Sequence, residues 1–84
     1  MRIEVTREFE KDTKKITEKE RQRLDEIVVR LAKSESLGKQ LHHMKDVFSI
    51  YVGNKRLVYR AAQEQDKVVL LFFKSREGVY DYLK

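Results

Sequence analysis

Apolar residues recur every three or four positions in the first half of the chain and every second position from Val47 onward. Ahead of both regions, Arg2 to Val5 alternates as a short strand, with Ile3 and Val5 on one face. Thr6 follows as a helix cap, its hydroxyl placed to accept a hydrogen bond from an unpaired first-turn amide. The helix it opens is short, with Phe9 and Ile16 one heptad apart among lysines and glutamates. Thr17-Glu18-Lys19-Glu20 then reads as a capping box, and Leu24, Ile27, Val28 and Leu31 follow at i, i+3, i+4 and i+7. This spacing predicts a helix from about Glu18 to Lys33. Ser34 to Gly38 breaks it, leaving two helices as a hairpin.

Beyond the break, Val47 to Val52 and Lys55 to Ala62 flank Gly53-Asn54, a two-residue hairpin turn in which a positive backbone angle is expected. That loop pairs Tyr51 with Arg56, Ile50 with Leu57 and Phe48 with Tyr59. Phe48, Ile50, Val52, Leu57 and Tyr59 then share the face for the helices. Ser49, Tyr51, Arg56, Val58 and Arg60 share the other, since a one-residue slip would mix the two sets. Gln63 to Asp66 is a polar turn. Lys67 to Phe73 is apolar on both sides and is expected as a central strand. Placing Ala62 opposite Lys67 sets Leu57 against Phe72, Arg56 against Phe73 and Lys55 against Lys74. Val58, Val69, Leu71 and Phe73 are then the apolar set of the second face. Arg76 to Lys84 closes the chain as a short helix or turn. The order is β-α-α-β-β-β with a C-terminal helix: one α+β domain, a helical hairpin on one face of a small, mainly antiparallel sheet.

Composition narrows the chemistry. Cysteine is absent from the 84 residues, which excludes disulfides and cysteine nucleophiles. The adjacent His42 and His43 are too few for a zinc site, so neither metal nor cofactor is expected. Lacking an apolar run of about 20 residues, and with a charged N-terminus, the chain reads as soluble and cytoplasmic, with no membrane partner. Net charge is +5. Residues 1–46 carry 12 basic and 10 acidic side chains, residues 47–84 seven and four. The positive excess of the second half suits an anionic partner, although a plain solvated surface has the same composition.

The second half also carries a recognisable order of parts. Leu41 to Met44, the strand Phe48 to Val52, Gly53 with Arg56-Leu57-Val58-Tyr59, the apolar strand Val68 to Phe73, and Lys74-Ser75-Arg76 leading to Tyr80 together resemble the RelE/ParE superfamily of type II toxin–antitoxin toxins. The RelE-like mRNA interferase branch fits best. The resemblance implies a toxin with a cognate antitoxin, which enters the ribosome and cuts messenger RNA by 2′-hydroxyl attack on the adjacent phosphate, with no metal required. It places Arg56 on the scissile phosphate, Lys74 or Arg76 as the second cation, and Tyr80 against the substrate. Ser49 and Tyr51 stand where relatives often carry lysines, and neither is a competent base near neutral pH. His42, His43 or Lys45 is left to supply one. Lys45, Tyr51, Lys55 and Arg60 are the expected RNA contacts around the site. Two alternatives remain open on the same fold: a ParE-like inhibitor of DNA gyrase, and a binding protein that has lost its chemistry.

Overall fold

The computed structural model describes residues 1–41 and 44–83, without the Leu83 side chain. Its elements are β1 (Arg2–Val5), α1 (Arg7–Asp12), α2 (Glu18–Ala32), β2 (Lys39–Gln40), β3 (Val47–Val52), β4 (Lys55–Ala62), β5 (Lys67–Ser75) and α3 (Arg76–Leu83). The strands form one sheet in the order β1-β5-β4-β3-β2, with β1 parallel to β5 and every other pair antiparallel. The α+β architecture therefore follows the sequence pattern, with β2 as an addition. Two exposed polar residues carry no period, which is why β2 is silent in the sequence. Gly38 makes it possible: at φ +80° its missing side chain leaves room for the Ser49 carbonyl and the Ile50 side chain, on which a Cβ would collide.

Both helix starts are built as the sequence implies. The Thr6 hydroxyl accepts from the Phe9 amide and donates to the Leu71 carbonyl, tying the start of α1 to β5. The Asp12 carboxylate then accepts from the Phe73 amide. In this way α1 continues along the edge of β5 where β1 ends and occupies backbone groups that would otherwise be open. It stops at Asp12, so Ile16 lies in the connecting segment rather than on the helix, yet still packs on the same core as Phe9. At α2 the capping box closes, with Thr17 and Glu20 bonding each other's backbone amides. Leu24, Ile27 and Leu31 of α2 are buried against Ile50, Val52, Leu57, Tyr59, Val68, Leu70 and Phe73 of the sheet. The Tyr59 hydroxyl donates to the Leu37 carbonyl at 2.6 Å, and burial raises its pKa above the ordinary value.

The β3–β4 register matches the expected pairs from Val52–Lys55 to Phe48–Tyr59. The β4–β5 register does not. It starts from Ala62 opposite Lys67 as expected, but between Val58 and Tyr59 a bulge leaves Leu71 without a partner. Beyond it Val58 faces Phe72, Leu57 faces Phe73, Arg56 faces Lys74 and Lys55 faces Ser75. The extra residue moves Phe73 to the helix side and turns Phe72 to the second face. There Phe72, Val47 and Val58 are buried beneath Val79 of α3, with Leu41 and Leu71 half-buried around them. A continuous apolar run gives no sign of a bulge, because both faces of β5 are covered.

The hairpin turn also differs in one detail. Gly53 has φ +63°, while Asn54 is absent from the positive-φ residues, so the special conformation sits at the first central position. The positive backbone angle expected of this turn thus falls on Gly53 rather than on Asn54. A Cβ at Gly53 meets nothing within 4 Å. Gly53→Ala is therefore expected to destabilise by at least about 1 kcal/mol through backbone strain alone, read as a lower urea midpoint with an unchanged slope. An unchanged midpoint would place the turn's special conformation elsewhere.

Ion pairs set the acid side of stability. The Thr17 amide and then Lys55 hold Glu20 below its ordinary carboxylate range, and a hydrogen bond from Lys74 does the same for Glu8. Burial disfavours the Lys74 ammonium, but hydrogen bonds to Glu8 and Asp12 outweigh it and raise its pKa. Carboxylates depressed on folding give stability that is present above their ordinary pKa of 4.5 and lost as pH falls through it. The raised Lys74 contributes in full below its ordinary 10.5 and fades above it. Thermal melts should fall on acidification below about pH 4.5. Glu20→Gln should blunt the acid fall, and an equally steep fall in that variant would remove the carboxylate from the explanation.

Candidate functional site

Three neighbouring strands present a row on the second face. Tyr51 of β3 lies opposite Arg56 of β4, and Arg56 lies opposite Lys74 of β5. Arg56 donates from Nη2 to the Tyr51 hydroxyl at 2.5 Å, and its guanidinium carbon lies 4.7 Å from the Tyr51 ring centroid. Its Nε is buried with no partner among the described residues. An unsatisfied buried donor on a charged group carries a desolvation cost.

The start of α3 supplies the other half. Arg76 and Tyr80 are four residues apart on one face of the helix, with the guanidinium 5.8 Å from the phenol ring centroid. Hydrogen bonding and charge from Arg76, followed by the charge of Arg56, lower the Tyr80 pKa below the ordinary value of a phenol. Arg56, Arg76, Tyr51 and Tyr80 thus gather at one place, with both tyrosines more than half exposed. Two guanidiniums offer a fork of donors to an anionic oxygen, and the acidified phenol is a proton donor beside them.

Lys74 does not join them. Its register is right, but Nζ turns to Glu8 at 2.5 Å and Asp12 at 2.9 Å on α1. Two carboxylates neutralise it, so of the two candidates for second cation Arg76 is the one beside Arg56. Lys55 points to the helix side, where Nζ pairs with Glu20 at 3.2 Å and lies over the Phe73 ring. Lys45 and Arg60 line a separate recess with Asp46 and Glu64. Arg60 is four residues along β4 from Arg56, roughly 13 Å at strand rise. His42 and His43 lie outside the described residues.

Beside Arg56 a groove of about 430 Å³ runs between β2 and β3, lined by Gly38, Lys39, Gln40, Leu41, Ser49, Ile50, Tyr51 and Arg56. Lys39 and Gln40 were not legible as site residues. The one signal for them is Gly38, whose positive φ brings β2 against β3 and so makes the groove wall. Among the described residues no three metal-ligating side chains gather, and no helix is long and apolar enough to cross a membrane.

Residues 3–80 match the family model described as ParE toxin of type II toxin–antitoxin system, parDE. Among solved structures, the chain is similar to the RelB–RelE antitoxin–toxin complex from Methanococcus jannaschii at 23% identity and TM-score 0.79, covering 96% of this chain and 99% of that one. It is similar to the isolated E. coli RelE toxin at 22% identity and TM-score 0.78, over 98% and 93% of the two chains. The toxin–antitoxin complex RelBE2 of Mycobacterium tuberculosis aligns at 27% identity and TM-score 0.60, over 89% and 90%. The comparison with curated proteins gave no match. The family match spans nearly the whole chain, while the first two structural likenesses speak to the fold alone.

Proposed function

This chain belongs to the ParE toxin family of type II toxin–antitoxin systems, within the RelE/ParE superfamily, and we propose that it acts as a ribosome-dependent endoribonuclease on messenger RNA. The observation that carries this reading is the meeting of Arg56, Arg76 and Tyr80, with Arg56 at the edge of a groove. In the proposed reaction a ribose 2′-oxygen attacks the adjacent phosphorus while its proton passes to a base. The bond from phosphorus to the 5′-oxygen then breaks. Arg56 and Arg76 neutralise charge on the phosphorane oxygens, where a fixed donor acts most strongly. Tyr80 gives its proton to the leaving 5′-oxygen, a task that its lowered pKa favours. The products are a 2′,3′-cyclic phosphate and a 5′-hydroxyl. The histidines at 42 and 43, which follow groove-lining Leu41 in the sequence, are the proposed source of the base.

A cognate antitoxin is the proposed protein partner. After α3 has covered Phe72 and Val58, Val69 and Leu71 remain half-buried and Tyr82 exposed on that side of the molecule. Such a remainder suits an apolar segment of a partner. A second reading, inhibition of DNA gyrase, is favoured by the family description itself. In that case the contacts are made by α1, α2 and α3, and the arginine cluster is dispensable. End-group analysis separates the two. Purified protein added to translating ribosomes should yield RNA fragments with 2′,3′-cyclic phosphate and 5′-hydroxyl ends; intact messenger together with blocked gyrase supercoiling would establish the second reading instead.

A further inference from the structure

We propose that the groove between β2 and the Tyr51–Arg56 pair is a nucleobase pocket, which seats one unpaired nucleotide of the RNA with its base on Tyr51 and its phosphate at Arg56. The inference rests on the ribonuclease reading for its substrate and extends it to a site that chooses among bases. Four observations support it. First, the groove volume of about 430 Å³ lies within the range of about 300–1,000 Å³ typical of small-ligand sites and has room for a single nucleotide. Second, Tyr51 is a large aromatic side chain that is 66% exposed near the hairpin end of β3, where the short β2, paired only with Phe48 and Ser49, leaves the groove side open. Arg56 lies over its ring and bonds its hydroxyl, which fixes the ring in place as a stacking platform.

Third, the remaining walls suit a base. Leu41 and Ile50 are apolar, whereas Gln40 and Ser49 bring hydrogen-bonding groups that can meet a base edge. Ser49 is a buried polar residue on β3 at the groove wall. Fourth, the charge is complementary. Lys39 and Arg56 border the groove, and among the described residues no acidic side chain lines it. The recess at Lys45 and Arg60 differs on this point, since Asp46 and Glu64 share it.

Binding can be read without cleavage. The test titrates AMP, GMP, CMP and UMP into isotope-labelled protein, with ribose 5-phosphate as a control that has the phosphate and no base. The nucleotides should perturb the amides of Gly38, Gln40, Ser49 and Tyr51 and bind about tenfold or more tightly than the control. Tyr51→Ala should erase that margin, as expected for an exposed residue whose loss leaves the fold intact. Gln40→Ala should change the ranking of the four nucleotides. Equal binding of ribose 5-phosphate and nucleotides, or perturbations confined to the Lys45–Arg60 recess, would overturn the pocket. Because these results do not depend on turnover, a pocket that fails in an active ribonuclease and a pocket that binds in an inactive protein are told apart.

Discussion

Arg56→Ala should abolish growth arrest and messenger cleavage while the protein melts at nearly its wild-type temperature. Arg56 faces away from the helix-side core, between Tyr51 and Lys74 in the cross-strand row, and its guanidinium lies with Arg76 near the Tyr80 hydroxyl. If that guanidinium meets the phosphorane, its loss costs on the order of 3 kcal/mol in the transition state, or roughly a hundredfold in rate. Stability should change by no more than about 0.5 kcal/mol. Removing the side chain also removes a buried Nε that has no partner among the described residues, and this offsets part of the lost packing. Arg76→Ala should follow the same pattern. Lys74→Ala should not, because Lys74 is engaged by Glu8 and Asp12; it should cost stability at the α1–β5 edge. A wild-type cleavage rate in Arg56→Ala would dissolve the proposed site.

The next residue along β4 should give the opposite result. Leu57 has no exposed surface and lies between β3 and β5, opposite Ile50 and Phe73 in the helix-side core. Leu57→Ala removes buried methyl groups and leaves a cavity in a tightly packed region, a change that costs about 2–5 kcal/mol. A domain of this size has a total stability of roughly 4–13 kcal/mol. The melting temperature should therefore fall by on the order of 15 °C. Specific activity of the fraction still folded at low temperature should survive, since Leu57 does not touch the cluster. A fall of only a few degrees would mean that the register about Leu57 is wrong. The pair of adjacent substitutions thus tests the two faces of one strand against each other.

Most of the fold was legible because each half of the chain keeps a single period. The capping box at Thr17, the stripe from Leu24 to Leu31 and the hairpin about Gly53-Asn54 are local signals, and each became the expected element. The bulge at Leu71 was not legible. A strand covered on both faces has no polar positions to mark a change of side, so the extra residue altered neither composition nor alternation. Its effect on the site is direct: it brings Lys74, rather than Phe73, opposite Arg56. For the site, Arg56 and Tyr51 could be paired from the register alone. Arg76 and Tyr80 needed the position of α3, which is set by Val79 packing on Val58 and Phe72. The diversion of Lys74 and Lys55 depends on Glu8, Asp12 and Glu20, residues more than 30 positions away with no local pattern to announce them. Lysine charges were easy to count and hard to place, because their partners are chosen by tertiary structure.

The central claim is that the Arg56–Arg76–Tyr80 cluster performs phosphoryl chemistry on RNA. Primer extension on a messenger under translation, with wild-type protein and Arg56→Ala side by side and gyrase supercoiling assayed in parallel, tests it most directly. The account predicts new stops within translated codons for the wild type, none for Arg56→Ala, and normal supercoiling with both. An uncut messenger with supercoiling blocked equally by both proteins would contradict it.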